Sequence, residues 1–211
     1  MSQILVFGAS TTYGAWDEKG GWVDRLKQFL HKKTIDSNLE NDWIVYNLGI
    51  DGDNTEGILE RFDQETEIRI WLDTETIIII STGINDSIFV HKTGETKVSI
   101  QSFQSNLEKI IKKAKDYTDK IVLVGSMPVD ARVDPIPWLE GHSYKNELVK
   151  LFNEIMESTA KVNKLHFIDI FKDFMKKDPE KLSADGVHPN SKGHKLIFEL
   201  LRKYLLENKL I

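Results

Sequence analysis

A chain of 211 residues, 40% of them hydrophobic, can bury one sizeable core, and its 33 acidic against 28 basic residues leave a formal charge of -5 that disfavours nonspecific attraction to nucleic acid or anionic lipid. The absence of cysteine removes disulfide frameworks, thiolate metal sites and cysteine nucleophiles together. Met1-Ser2-Gln3 leads straight into an apolar run without a basic leader, and no window approaches the roughly 18 apolar residues of a membrane helix, so a cytoplasmic protein with no membrane span and no nucleic-acid partner is expected.

The first apolar run, Ile4 to Phe7, is short and uninterrupted, the pattern of a strand buried on both faces. It ends in Gly8-Ala9-Ser10-Thr11-Thr12-Tyr13-Gly14, a turn of small residues that sets the Ser10 hydroxyl at a strand end, where a serine also serves as an ordinary helix N-cap. Trp22, Leu26, Phe29 and Leu30 then share one helical face. A second strand, Trp43 to Leu48, runs into Gly49-Ile50-Asp51-Gly52, and a glycine there lets the backbone approach a ligand with its N–H turned inward.

The third strand, Ile77 to Ile80, runs into Gly83-Ile84-Asn85-Asp86. The Asn85 carboxamide can donate to a developing oxyanion and equally suits an Asx turn. An irregular segment from Asn85 to Lys97 precedes a helix marked by Phe103, Leu107, Ile110, Ile111 and Ala114, then a fourth strand from Ile121 to Val124. A second irregular segment, Ser126 to His142, carries Pro128, Pro135, Pro137 and Trp138. Helical spacing returns at Leu148, Leu151, Phe152 and Ile155, before a fifth strand from Leu165 to Ile168. The last helix shows Ile197, Leu200, Leu201, Tyr204 and Leu205 on one face.

Ahead of that helix stands Asp185-Gly186-Val187-His188-Pro189-Asn190. Pro189 keeps His188 out of the helix and leaves Asn190 as its N-cap. An aspartate three residues before a histidine on a tight turn reaches Nδ1, fixes the tautomer and supports an imidazolium formed when Nε2 takes a proton. In isolation the same residues make a solvent-facing polar turn.

The β-α alternation predicts an α/β protein, a single domain over residues 1–211 built as a doubly wound, three-layer α/β/α sandwich. Both irregular segments follow strands and should lie over the strand C-terminal edge, where open α/β sheets bind ligands. A nucleotide-dependent reductase is disfavoured, because Gly8 and Gly14 do not make G-x-G-x-x-G and Asp51 lies too far downstream. Asp185, His188 and His194 could be imagined around a metal, but no His-Glu-x-x-His is present, and a core or surface place on the last helix suits His194 better. His31, His91, His142 and His166 have no partner identifiable in the sequence.

Four separated segments thus put a suitable group after an apolar run in the order Ser, Gly, Asn, Asp-His. In this the chain resembles the SGNH/GDSL hydrolases, with Gly8-Ala9-Ser10 matching the family's first block, Gly49 the second, Gly83-Ile84-Asn85-Asp86 the third and Asp185-Gly186-Val187-His188 the last. The resemblance implies a flavodoxin-like five-stranded parallel sheet and a GDSL-type esterase. It assigns Ser10 as nucleophile, His188 as general acid and base, Asp185 as its orienting partner, and the N–H groups of Ser10 and Gly49 with the Asn85 amide as an oxyanion hole. It implies a small-molecule ester substrate, of short acyl chain since no long apolar surface stretch is present, and neither metal nor organic cofactor. Trp16, the stretch after Asp86 and Pro135 to Trp138 are candidate pocket walls. Ala9 departs from the family, which has aspartate there, and puts the rigidity of the turn in question. It also supports the alternative of an impaired SGNH-fold binding protein. Oligomeric state has no signature in the sequence.

Overall fold

The computed structural model describes residues 1–71 and 73–211. In chain order these form β1 (Ser2–Gly8), α1 (Ser10–Tyr13), α2 (Gly21–Asp36), β2 (Trp43–Gly49), α3 (Thr55–Glu67), β3 (Glu75–Ser81), β4 (Phe89–Val90), β5 (Glu95–Thr96), α4 (Ile100–Lys115), β6 (Ile121–Val124), β7 (His142–Ser143), α5 (Asn146–Asn163), β8 (His166–Ile168), α6 (Phe171–Met175) and α7 (Ser191–Glu207). Five strands make one parallel sheet in the order β2-β1-β3-β6-β8. This is the flavodoxin-like arrangement, and the reversal of strand order falls between β1 and β3, where such sheets open a crevice.

The alternation of the strands divides the core in two. Ile4 and Val6 of β1, with Ile77 and Ile79 of β3, pack under Trp22, Leu26 and Leu30 of α2 and Ile197, Leu201 and Leu205 of α7. Leu5 and Phe7, with Ile78 and Ile80, face Ile58 and Phe62 of α3, Phe103, Leu107 and Ile110 of α4 and Phe152 and Met156 of α5. Apolar side chains on both faces are what a central parallel strand requires, and they explain the uninterrupted hydrophobic runs. No helix among the described residues is long and apolar enough to cross a membrane.

Two expectations need correcting. Helix α5 does not bury Leu148, Leu151 and Ile155, which stay half-exposed; its buried face carries Val149, Phe152, Asn153, Met156, Thr159 and Ala160. The stripe is turned by one residue, about 100°. Asn153 accounts for the turn, because its carboxamide accepts from Ser126 N at 2.8 Å and donates to Ser126 O at 2.9 Å, drawing a polar residue inward. The two irregular segments, in turn, are joined by a small antiparallel sheet, β5-β4-β7, of two-residue strands too short to leave a periodic trace. Ile88, Val129, Val133, Ile136, Tyr144, Val149 and Val187 form a third, smaller core beneath it.

Candidate active site

Three chain segments meet at the crevice between β1 and β3. The first is the turn after β1, where Ser10 opens α1, its side chain nearly buried. The turn is tight because Ala9 O accepts from both Thr12 N (3.0 Å) and Tyr13 N (2.9 Å). Glycine is required before it, since a Cβ on Gly8 would stand 2.6 Å from Ser81 O and closer still to the Thr12 hydroxyl.

The second segment is the loop before α7. Asp185 Oδ1 accepts from Val187 N (3.1 Å) and His188 N (2.8 Å), an Asx turn that folds His188 back over its own aspartate. A bridge between Ser183 and Pro189 closes the loop, and Asn190 caps α7 by accepting from Lys192 N and Gly193 N. In this geometry His188 Nδ1 lies 2.7 Å from Asp185 Oδ2, and Nε2 lies 2.9 Å from Ser10 Oγ, across 178 residues of sequence. Burial alone would push the Asp185 carboxyl up; hydrogen bonds from the His188 ring and from the His188 and Val187 N–H groups outweigh it and hold the group well below the usual carboxylate range. An ionised carboxylate only accepts, so the ring proton sits on Nδ1 and Nε2 is left to accept from Ser10.

The third segment follows β3. Asn85 is buried, its Oδ1 accepting from Tyr144 Oη at 2.7 Å and its Nδ2 donating to Asp53 O at 2.8 Å. One amide N–H remains. Burial, then the charges of Asp185 and Asp51, push the Tyr144 phenol up and keep it a donor. Asp86, fully buried beside Asn85, accepts from Thr55 N at 3.0 Å and from the Thr55 hydroxyl, which ties the loop to the start of α3; burial pushes its carboxyl up against those hydrogen bonds.

Gly49 is not brought to this point. Its N–H donates to Asn47 Oδ1 at 3.1 Å, while Asn47 Nδ2 holds Thr12 O at 3.0 Å. Its lack of a side chain serves packing, since a Cβ would stand 2.3 Å from Tyr13 N. Gly52, three residues on, has a φ of 72°, lines the cleft with Ser10 and Asn85, and its N–H has no acceptor among the described residues. The cleft, of about 420 Å³, is walled by Trp16, Asp51, Ile88, Lys97, Trp138 and Tyr144 around Ser10, Asn85, Asp185 and His188. Of the expected wall Pro135 to Trp138, Trp138 faces the cleft and Ile136 is a buried plug.

The family model for the GDSL-like lipase/acylhydrolase family matches residues 6–196, nearly the whole chain. The chain belongs to this family. Among known proteins, this GDSL-like acylhydrolase is 24% identical over 211 residues to the isoamyl acetate-hydrolyzing esterase 1 homolog of Bos taurus, covering 94% of this chain and 79% of the relative. It is similar in fold to a lipase/acylhydrolase from Enterococcus faecalis, with a TM-score of 0.75 and 24% identity over 97% of this chain and 95% of the other. An acetylxylan esterase from Geobacillus stearothermophilus superposes with a TM-score of 0.74 at 16% identity, over 96% and 93% of the two chains.

Of the remaining histidines of the GDSL-like protein, His31 is exposed on α2 and the other four are accounted for away from Ser10. His194 is fully buried, its Nε2–H donating to Ala15 O at 3.2 Å, and burial holds its pKa down and the ring neutral. It therefore does not join Asp185 and His188 around a shared point. His91 pairs with Ser143 Oγ (2.8 Å), His166 with the Tyr204 hydroxyl (3.2 Å) and His142 with Glu140 O (2.8 Å), partners that only folding reveals. At Ala9 the turn keeps its backbone hydrogen bonds, and a cavity of about 20 Å³ opens beside the side chain, lined also by Trp22, Ser81, Ser126 and Met127. The buried Trp22 Nε1 has no acceptor among the described residues.

One contributor escaped the sequence reading, and a second, Trp16, is read there only as a candidate pocket wall. Tyr144 orients the Asn85 carboxamide, but a tyrosine at a loop end carries no distinguishing pattern. Trp16 donates its indole N–H to Asp185 Oδ2 at 2.9 Å from a backbone with φ 64°, a conformation that costs a bulky residue about 1–3 kcal/mol. Its signal was present in Gly14-Ala15-Trp16-Asp17, where an aromatic stands in a small-residue loop.

Proposed function

We infer that the protein hydrolyses short-chain carboxylic esters by acyl transfer through Ser10. The observation that carries this reading is the hydrogen-bonded line from Asp185 through His188 to Ser10 Oγ, with distances of 2.7 and 2.9 Å, standing at the sheet's crevice. Ser10 Oγ attacks the ester carbonyl carbon as its proton passes to His188 Nε2, and Asp185 supports the imidazolium. The oxyanion is received by the N–H groups of Ser10 and Gly52 and by the free N–H of Asn85 Nδ2, with Gly52 taking the part expected of Gly49. His188 then protonates the leaving alcohol. Water enters, gives a proton to the same nitrogen and attacks the acyl-enzyme, releasing the acid and restoring Ser10. No step calls on a metal or an organic cofactor.

The open cleft of about 420 Å³ supports a small acyl group, as do the acetate esters in the names of the bovine relative and the acetylxylan esterase. The test is a panel of p-nitrophenyl esters from acetate to palmitate beside fluorophosphonate labelling. The expected result is a maximum at the short chains, labelling of the wild type, and loss of both labelling and turnover, by about 10³-fold or more, in Ser10→Ala. A maximum at the long chains would overturn the substrate class. An unlabelled wild type would favour a binding protein that kept the fold.

A further inference from the structure

We propose that Trp16 is a positioning residue for the Asp185–His188 pair and not merely a wall of the cleft, an inference that rests on the hydrolase reading above. Trp16 is 67% exposed, so burial explains neither its place nor its left-handed backbone. Its neighbours on both sides are fastened from behind. Ala15 O accepts from His194 Nε2 at 3.2 Å, and the buried Asp17 carboxylate accepts from Gly21 N (3.1 Å) and Lys19 N (3.3 Å) and pairs with Arg25. Arg25 in turn reaches Ser191 Oγ at 3.0 Å. Ser191 and His194 stand on the first turn of α7, the helix that begins just after His188. The strap carrying Trp16 is therefore tied to the same element that sets the histidine loop.

The carboxylate has four good acceptor positions. Oδ1 takes the N–H groups of Val187 and His188, Oδ2 takes His188 Nδ1–H, and the Trp16 indole N–H fills the fourth at 2.9 Å. The indole nitrogen is also 3.1 Å from His188 Nδ1, but that nitrogen spends its proton on the carboxylate and cannot accept. With the indole in place Asp185 cannot rotate about its side chain without losing a partner, and the indole meets the imidazole edge-on, ring centroids 5.9 Å apart at 88°. The other charged or titratable groups facing the pair are the Asp130–Arg132 ion pair after β6, Arg132 donating to Ala184 O, the buried His194 of α7, and Asp51, Lys97 and Tyr144 at the cleft. None of them reaches Oδ2.

Trp16→Phe keeps an aromatic ring at the cleft and removes the donor together with the five-membered ring that carries it. With p-nitrophenyl acetate, kcat is expected to fall about tenfold with KM within about twofold. The acid limb of kcat/KM against pH is expected to move to higher pH, because a carboxylate released from the indole accepts more strongly from imidazolium. A variant with a superimposable pH profile and unchanged kcat, or with a change in KM alone, overturns the proposal and leaves Trp16 a wall. A second measurement needs no variant enzyme kinetics: in the wild type the Trp16 indole N–H, assigned by its disappearance in Trp16→Phe, should exchange with solvent more slowly than that of Trp138, which is 56% exposed. Equal exchange overturns the contact. Failure of fluorophosphonate labelling in the wild type would count against the hydrolase reading instead, and the indole comparison would still decide whether the contact exists.

Discussion

The Asn85 carboxamide is held from both ends, by Tyr144 Oη and Asp53 O, so its remaining N–H points where the backbone of the loop dictates. Asn85→Ala should lower kcat by about 10²–10³ while KM changes little. It also leaves the buried Tyr144 hydroxyl unpaired, at about 1–3 kcal/mol of stability, read as a lower urea midpoint. Asp17 makes a different prediction. Burial pushes its carboxyl up, but the hydrogen bonds from Arg25 and Lys19 N prevail and bring it down to about 2. A carboxylate depressed on folding adds stability that is complete above its unfolded pKa, about 3.9, and is lost as pH falls through the folded value. The wild type should therefore lose urea resistance between about pH 4 and pH 2, and Asp17→Asn, weaker at neutral pH, should show a flatter curve across that window. At this scale the candidate residues were legible, because serine and asparagine each follow an apolar run and the aspartate-histidine pair stands on a tight turn ahead of a helix. The glycine was not. Gly49 and Gly52 are interchangeable as letters, and only the hydrogen bond from Gly49 N to Asn47 separates the one used in packing from the one left facing the cleft.

Helix α7 shows how an element positions a site that it does not itself contain. Its N-cap, Asn190, stops it just short of His188, and its first turn presses so closely on the preceding loop that a Cβ at Gly193 would stand 2.3 Å from Leu182 O and 2.8 Å from Pro189 Cβ. Gly193→Ala should push the loop off the helix, with a loss of about 1–3 kcal/mol in urea unfolding and a fall in kcat as His188 leaves Ser10. A compensating rise in helix propensity works the other way, by about 1 kcal/mol, so an unchanged midpoint with lowered kcat would still report the displacement. The long elements could be read directly from their apolar spacing, β1 and β3 from continuous runs and α4 from its stripe. Helix α5 could not, since Asn153 exchanges a hydrophobic contact for two hydrogen bonds to Ser126 and rotates the helix.

For the molecule as a whole, stability should be graded from the sheet outward. Ile4 to Phe7 and Ile77 to Ile80 are fully buried between two helical layers, whereas the small β5-β4-β7 sheet consists of two-residue strands whose side chains, the buried Ser143 apart, are partly or fully exposed. Amide exchange should follow this order, with the β1 and β3 protons outlasting those of Phe89, Val90, Glu95 and Thr96 by several orders of magnitude. Comparable protection would mean that the cap over the cleft folds as firmly as the sheet. The grading matters for function, because the rigid strands carry Ser10 and Asn85 at their ends while the cap supplies Lys97, Trp138 and Tyr144. By itself the sequence determined the alternation of strands and helices, the burial of both sheet faces and a set of candidate reactive side chains, because these depend on hydrophobic period and on local turn chemistry. Tertiary structure decided which side of β1 each strand joins, which glycine faces the cleft, and how an exposed tryptophan comes to rest on Asp185. Those depend on contacts between residues far apart in the chain, and no local pattern encodes a distance across it.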